Sequence, residues 1–103
     1  MKFIKMNLDR IAELCKQYHV IKLWVIDSIH RFNDESDVDF VVNFNEETIK
    51  AHDLDWADLF FDFIDELSTL MGRKVDLIDY AAVSNPIFRQ ELDRTKQLIY
   101  GGV

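Results

Sequence analysis

Three aspartates in two apolar segments are the residues of this chain that could do chemistry. Asp37 and Asp39 open the apolar segment 40–42, and Asp76 lies within the apolar segment 75–78. Residues two apart on a strand project to the same face, so Asp37 and Asp39 point the same way with Cα atoms roughly 6–7 Å apart. Two carboxylates aimed at one place repel each other unless a cation lies between them. A hard, oxygen-seeking ion such as Mg²⁺ fits that position best.

The third aspartate completes the set if the strands that carry these residues are neighbours in a sheet. Asp76 would then join Asp37 and Asp39, and three carboxylates can hold one or two Mg²⁺ ions. Such ions bridge nucleotide phosphates and neutralise charge during an in-line displacement at phosphorus. An Asp-x-Asp pair alone is weaker evidence, because solvated acidic turns of the same composition are common.

The hydrophobic pattern predicts the elements that would position these aspartates. The predicted order is helix, strand, strand, long helix, strand, helix, strand. The polar, acidic stretch 45–53 is predicted to be a loop, and 80–84 a connection with some helical character. The predicted bounds of the seven elements are 8–19, 22–26, 37–44, 54–71, 73–78, 86–93 and 96–100.

Local signals fix several of these ends. Gly72 is a typical residue just beyond a helix C-terminus. Asn85 is a good N-cap and Pro86 a good first helical residue. In the helix that follows, the apolar residues expected to point inward are Ile87, Phe88 and Leu92.

Composition and charge limit the classes of function. At 103 residues the chain, 1–103, is predicted to be a single domain. The net charge of −7 makes nucleic acid an unfavourable main partner. No apolar run approaches membrane-spanning length and no long apolar signal region is present, so we expect a cytoplasmic protein without a membrane partner. The lone Cys15 is interpreted as a buried helix residue rather than a reactive thiol.

The segments around the aspartates resemble the minimal nucleotidyltransferases of the DNA polymerase β-like superfamily. That motif is an apolar strand ending in Gly-Ser, a loop, Ser-Asp-x-Asp with an apolar strand, and a third Asp in a later strand. Here 23–28 read Leu-Trp-Val-Ile-Asp-Ser, 36–42 read Ser-Asp-Val-Asp-Phe-Val-Val, and 72–77 read Gly-Arg-Lys-Val-Asp-Leu. The resemblance implies an α+β nucleotidyltransferase fold, with a small mixed sheet of three to four strands flanked by helices.

The resemblance also implies an activity, a cofactor and a partner. A nucleoside monophosphate, usually AMP from ATP, would pass to a hydroxyl, such as a tyrosine of a HEPN-type toxin. Asp37, Asp39 and Asp76 would bind Mg²⁺, and Asp76 would also act as base or orient the acceptor hydroxyl. Nucleotide contacts are expected from Ser28, which the motif assigns to the triphosphate, and from Arg31, Ser36 and Lys74. Both homo-oligomers and hetero-oligomers stay open.

The chain departs from the family motif in two ways, and three interpretations follow. Asp27 stands where the motif has Gly, which puts a side chain and a negative charge where a triphosphate should lie. The loop from Ser28 to Ser36 is also shorter than in close relatives. The chain could be an active transferase with an altered phosphate loop, or a degenerate one acting as a binding antitoxin. Outside this family, it could be a small acidic interaction domain whose aspartates are merely solvated.

Overall fold

The computed structural model describes residues 6–26 and 38–101. Four strands form one sheet in the order β3-β2-β1-β4. β1 runs antiparallel to β2 and β4, whereas β2 and β3 are parallel. The elements in chain order are α1 (Leu8–Gln17), β1 (Val20–Ile26), β2 (Val38–Phe44), α2 (Glu46–Ala51), α3 (Trp56–Met71), β3 (Val75–Asp79), a 3₁₀ turn (Tyr80–Ala82), α4 (Pro86–Thr95) and β4 (Lys96–Tyr100).

The predicted fold class, a small mixed sheet flanked by helices, is confirmed. The parallel pair explains the long connection in the middle of the chain. Parallel strands cannot be joined by a tight hairpin, so the chain must cross over between them. α3 makes this crossover between β2 and β3 and packs on β3 as it does so.

The main hydrophobic core lies between one face of the sheet and helices α1 and α3. Ile11 and Cys15 of α1 are fully buried in it, as are Phe63 and Leu67 of α3 and Phe40 of β2. The prediction that Cys15 is a buried helix residue is therefore confirmed. Burial raises the pKa of its thiol to about 12, because a thiolate would be poorly solvated in this core.

α3 is the long helix that the sequence predicts, and both of its ends have a local cause. The Asp55 side chain accepts hydrogen bonds from the backbone amides of Ala57 and Asp58 at the N-terminus. Gly72 ends the helix in the left-handed conformation, with φ of 69°. None of the helices in the described ranges is both long and apolar enough to span a membrane.

The prediction of a loop over 45–53 is wrong, because a short helix, α2, occupies most of it. The Asn45 side chain accepts a hydrogen bond of 3.1 Å from the amide of Thr48 and so caps this helix. Ile49 provides its hydrophobic anchor and is only 4% exposed. Six residues with one buried side chain do not produce a helical period that a sequence pattern can reveal.

The start of α4 agrees with the prediction, but its inward face does not. Asn85 caps the helix through the amides of Ile87 and Phe88. Leu92 is buried as predicted, whereas Ile87 and Phe88 are 74% and 45% exposed, so their predicted inward orientation is wrong. The helix turns Leu92 inward while its neighbour Asp93 stays exposed, and a helix with so few apolar residues gives no clear period that would reveal its inward face.

Candidate active site

Asp39 and Asp76 are brought together by the parallel pairing of β2 and β3. The two residues are direct register partners across these strands. Neighbouring strands lie about 4.8 Å apart, and register partners project to the same face. From the sequence, Asp39 and Asp76 are expected to lie together only if their strands are neighbours. The sheet order shows that β2 and β3 are neighbours.

The pair lies on the face of the sheet opposite the main core. Val38 and Phe40 flank Asp39 in β2, and both belong to or pack against the core between the sheet and α1 and α3. Val75 flanks Asp76 and is likewise a core residue. Because side chains alternate along a strand, the two carboxylates project to the other side, where Asp76 is exposed and Asp39 half-buried.

The other carboxylate on β3, that of Asp79, does not belong to this site. Asp79 shares its face with Val75 and accepts a hydrogen bond of 3.2 Å from the amide of Ala81. Burial is the main influence on it and raises the pKa of its carboxyl, while the bond from Ala81 opposes this rise. The alternation along β3 thus gives Asp76 and Asp79 different surroundings although both lie on one short strand.

The remaining residues predicted for the site divide between the described and undescribed parts of the chain. Lys74 is exposed and directly precedes β3, and its carbonyl accepts a hydrogen bond of 3.1 Å from the amide of Val38. Within residues 6–26 and 38–101 no group of three potential metal ligands occurs. The predicted site residues outside these ranges are Ser28, Arg31, Ser36 and the third proposed metal ligand, Asp37.

Next to the two carboxylates, the same face carries a group of residues that sequence reasoning missed. The Trp24 and Tyr80 rings lie 5.4 Å apart, and the Arg89 guanidinium stacks 4.2 Å from the centre of the Tyr80 ring. Lys96 Nζ lies 5.3 Å from the Trp24 ring and donates a 2.8 Å hydrogen bond to Asp93. We call this group the cation–aromatic cluster; its members are Trp24, Tyr80, Arg89, Asp93 and Lys96.

Hydrogen bonds stabilise the ionised form of the Asp93 carboxyl in this cluster. The Tyr80 hydroxyl donates a 2.7 Å bond to the Asp93 carboxylate, which also receives the bond from Lys96. The bond from Lys96 contributes most to lowering the pKa of Asp93, and the Tyr80 bond adds to it. Part of this group was readable in the sequence, because Arg89 and Asp93 lie at the i, i+4 spacing of one helix face. Lys96 begins β4, so its place in the group depends on how that strand pairs.

Comparison with known proteins assigns the chain to a family. The family model described as polymerase beta, nucleotidyltransferase matches residues 9–102. The chain belongs to this family. It is also 31% identical over 100 residues to a candidate protein adenylyltransferase of Methanocaldococcus jannaschii, covering 94% of this chain and 93% of the relative. The resemblance found in the sequence is thereby confirmed, and the interpretation as an acidic domain outside this family is wrong.

Solved structures show the same fold at low sequence identity. A candidate minimal nucleotidyltransferase matches with a TM-score of 0.73 and 18% identity, over 93% of this chain and 92% of that one. A tri-AMPylated HEPN toxin of Shewanella oneidensis in complex with an MNT antitoxin matches with a TM-score of 0.66 and 18% identity, over 95% and 72%. A toxin–antitoxin structure with AMP-PNP matches with a TM-score of 0.66 and 19% identity, over 93% and 74%.

Proposed function

We propose that this protein transfers AMP from ATP, with Mg²⁺, to a hydroxyl group of a protein acceptor. The observation that carries the proposal is the in-register pair of Asp39 and Asp76 on the sheet face opposite the core. A nucleotidyltransferase needs acidic side chains converging at one place to accommodate metal-bound phosphates. The 31% identity to a candidate protein adenylyltransferase supports AMP as the group and a protein as the acceptor.

The acidic pair is suited to the cofactor that the proposal requires. Two carboxylates about one strand spacing apart provide the oxygen ligands that Mg²⁺ prefers. Asp39 and Asp76 would hold the ion together with Asp37, and bound Mg²⁺ would offset the negative charge of the phosphates. Without a cation, the two carboxylates would repel each other across the strands.

The proposed reaction is a displacement at the α-phosphorus of ATP. The acceptor oxygen forms a bond to that phosphorus, the bond from phosphorus to the oxygen leading to the β-phosphate breaks, and pyrophosphate leaves. Asp76 takes or directs the proton of the acceptor hydroxyl. Ser28, Arg31, Ser36 and Lys74 are proposed to hold the triphosphate, which they can do as hydrogen-bond donors.

A HEPN-type toxin is the acceptor that we propose. Structures of MNT antitoxins with HEPN toxins share the fold of this chain, and one of these toxins is AMPylated. The protein and the toxin would then form a hetero-oligomer in which the toxin is both binding partner and substrate. We place this activity in the cytoplasm.

A second candidate function is binding of the toxin without transfer. It is favoured by Asp27, which stands at the motif position of Gly and adds a negative charge to the phosphate loop. A like charge beside several phosphates weakens nucleotide binding most where water is excluded. On this alternative the carboxylates are retained but the triphosphate binds too weakly for reaction.

Labelled ATP separates the two functions. The protein is incubated with Mg²⁺, a purified HEPN toxin and ATP labelled on either the α- or the γ-phosphate. Transfer of AMP labels the toxin only from α-labelled ATP. Label from γ-labelled ATP would contradict the proposal by indicating phosphate transfer instead.

The binding alternative has its own outcome in the same experiment. The toxin would co-elute with the protein on a sizing column and yet acquire no label. The control for both measurements is a double variant, Asp39→Asn with Asp76→Asn, that removes both carboxylates of the proposed site. If the proposal holds, this variant binds the toxin but leaves it unlabelled.

A further inference from the structure

Lys96 lies in the same row of the sheet as the two carboxylates. It is the register partner of Ile26, and the β1–β2 register, which pairs Val25 with Phe40, continues by one step to place Ile26 beside Asp39. The row across the sheet therefore reads Lys96, Ile26, Asp39, Asp76. Two strand spacings separate the Cα atoms of Lys96 and Asp39, which is roughly 10 Å.

The side chain of Lys96 is held over this face rather than extended into solvent. Only 17% of it is exposed. Its ammonium lies 5.3 Å from the centre of the Trp24 ring and 5.4 Å from that of Tyr80, within the range of cation–π attraction. Asp93 fixes it with a 2.8 Å hydrogen bond and is fixed in turn by the Tyr80 hydroxyl. The ammonium is thus immobilised before any ligand arrives.

This arrangement leaves Lys96 able to contact a ligand. An ammonium has three N–H donors, and among the described residues the bond to Asp93 accounts for one. A nucleoside triphosphate bound beside Asp39 and Asp76 needs cations, because the protein has a net charge of −7. A ligand lying across β1 and β2 on this face would touch both the carboxylates and Lys96.

We propose that Lys96 donates a hydrogen bond to a phosphate oxygen of the nucleotide bound at the Asp39–Asp76 face. Asp93 and Trp24 are positioning residues that hold the ammonium in place for this contact. The inference rests on the proposed function, since it names a further residue for the same nucleotide. It adds a cation from the far end of the chain to those expected from the phosphate loop.

Nucleotide binding by three lysine variants tests the proposal. Lys96→Met keeps the length and much of the apolar contact with Trp24 but removes the charge, whereas Lys96→Arg keeps the charge. Lys50→Met is the matched control, because Lys50 is exposed on α2 and its removal changes the net charge by the same amount. Mg²⁺-AMP-PNP is titrated into each protein by calorimetry, and each melting temperature is measured without ligand.

We expect Lys96→Met to weaken binding about 10- to 100-fold, as for loss of a hydrogen bond to a charged group. Lys96→Arg should retain most of the affinity, and Lys50→Met should stay within about twofold of the wild type. If Lys96→Met melts at a lower temperature but binds like the wild type, Lys96 only ties α4 and β4 to Trp24 and the inference is overturned. If the wild-type protein itself binds no nucleotide, the proposed function fails and the inference fails with it.

Discussion

At the scale of single residues, alternation along a strand separates two acids that look alike in the sequence. Asp76 and Asp79 both belong to β3, but Asp76 is exposed beside Asp39 whereas Asp79 is partly buried and caps the 3₁₀ turn. A carboxylate facing another carboxylate is destabilising for the fold. Such an arrangement is typical of sites where function, rather than stability, requires the charge.

Replacing the paired aspartates tests this distinction. We expect Asp39→Asn and Asp76→Asn each to lower AMP transfer to the toxin by about 100-fold or more, as for loss of one electrostatic catalytic group. The melting temperature should stay constant or rise, because charge repulsion is relieved. Asp79→Asn is the control on the same strand and should keep transfer, since asparagine can still cap Ala81. Equal loss of transfer in all three variants would contradict the assignment.

The buried thiol of Cys15 gives a prediction about pH. Its pKa rises from 9.0 in the exposed group to about 12 in the fold, so the folded protein holds its proton more tightly than the unfolded chain. The contribution of the Cys15 thiol to the free energy of unfolding is therefore complete below pH 9 and is lost as the pH rises towards 12. We expect the free energy of unfolding in urea to fall by about 1 kcal/mol between pH 8 and 10 from this group alone. Cys15→Ala should remove that part of the pH dependence.

At the scale of elements, α4 matters because it carries part of the cation–aromatic cluster. Arg89 and Asp93 lie on it, and Lys96 follows directly at the start of β4. Tyr80 is one residue that links this helix to the sheet, because the Arg89 guanidinium covers its ring and its hydroxyl donates a hydrogen bond to Asp93. The orientation of α4 should therefore affect both stability and the position of Lys96.

The N-cap of α4 provides a test at this scale. Asn85→Ala removes the acceptor for the amides of Ile87 and Phe88, and we expect it to lower the free energy of unfolding by about 1 kcal/mol. Asn85→Asp restores an acceptor at the same position and should recover most of the loss. Chemical denaturation of the three proteins measures this. A similar loss in Asn85→Asp would show that the cap is not the cause.

At the scale of the whole molecule, charge is distributed unevenly around the sheet. Burial raises the pKa of Tyr18 on the core side, and the α3 acids Glu66, Asp62 and Asp65 raise it further. On the opposite side, Arg89 and Lys96 belong to the cation–aromatic cluster. An acidic protein with two cations on the side of its carboxylate pair is better suited to an anionic nucleotide there than beside the α3 acids.

Ligand-linked stability tests the site as a whole. If nucleotide binds only the folded state, Mg²⁺-ATP at 100 times its dissociation constant stabilises the protein by about 2.7 kcal/mol, and the melting temperature rises by several degrees. EDTA, which removes Mg²⁺, should abolish the metal-dependent part of this rise in melting temperature. The Asp39→Asn, Asp76→Asn double variant should lose the same part. Absence of any shift at millimolar Mg²⁺-ATP would favour the toxin-binding function without transfer.

The sequence by itself determined most of the elements, though not α2, and the face on which Asp39 and Asp76 lie. Apolar periods, caps and the stop at Gly72 depend on neighbours a few positions away, so α3, β3 and the start of α4 are readable from the chain. The Asp-x-Asp motif likewise needs only the alternation of a strand.

Only the tertiary structure decided which residues meet. The parallel pairing of β2 with β3 places Asp39 beside Asp76, and the pairing of β1 with β4 brings Lys96 into the same row. The inward face of α4 was also decided there, which is why Ile87 and Phe88 are exposed against expectation. The physical reason is that strand pairing and helix docking depend on the total free energy of packing across distant segments, which no local period encodes.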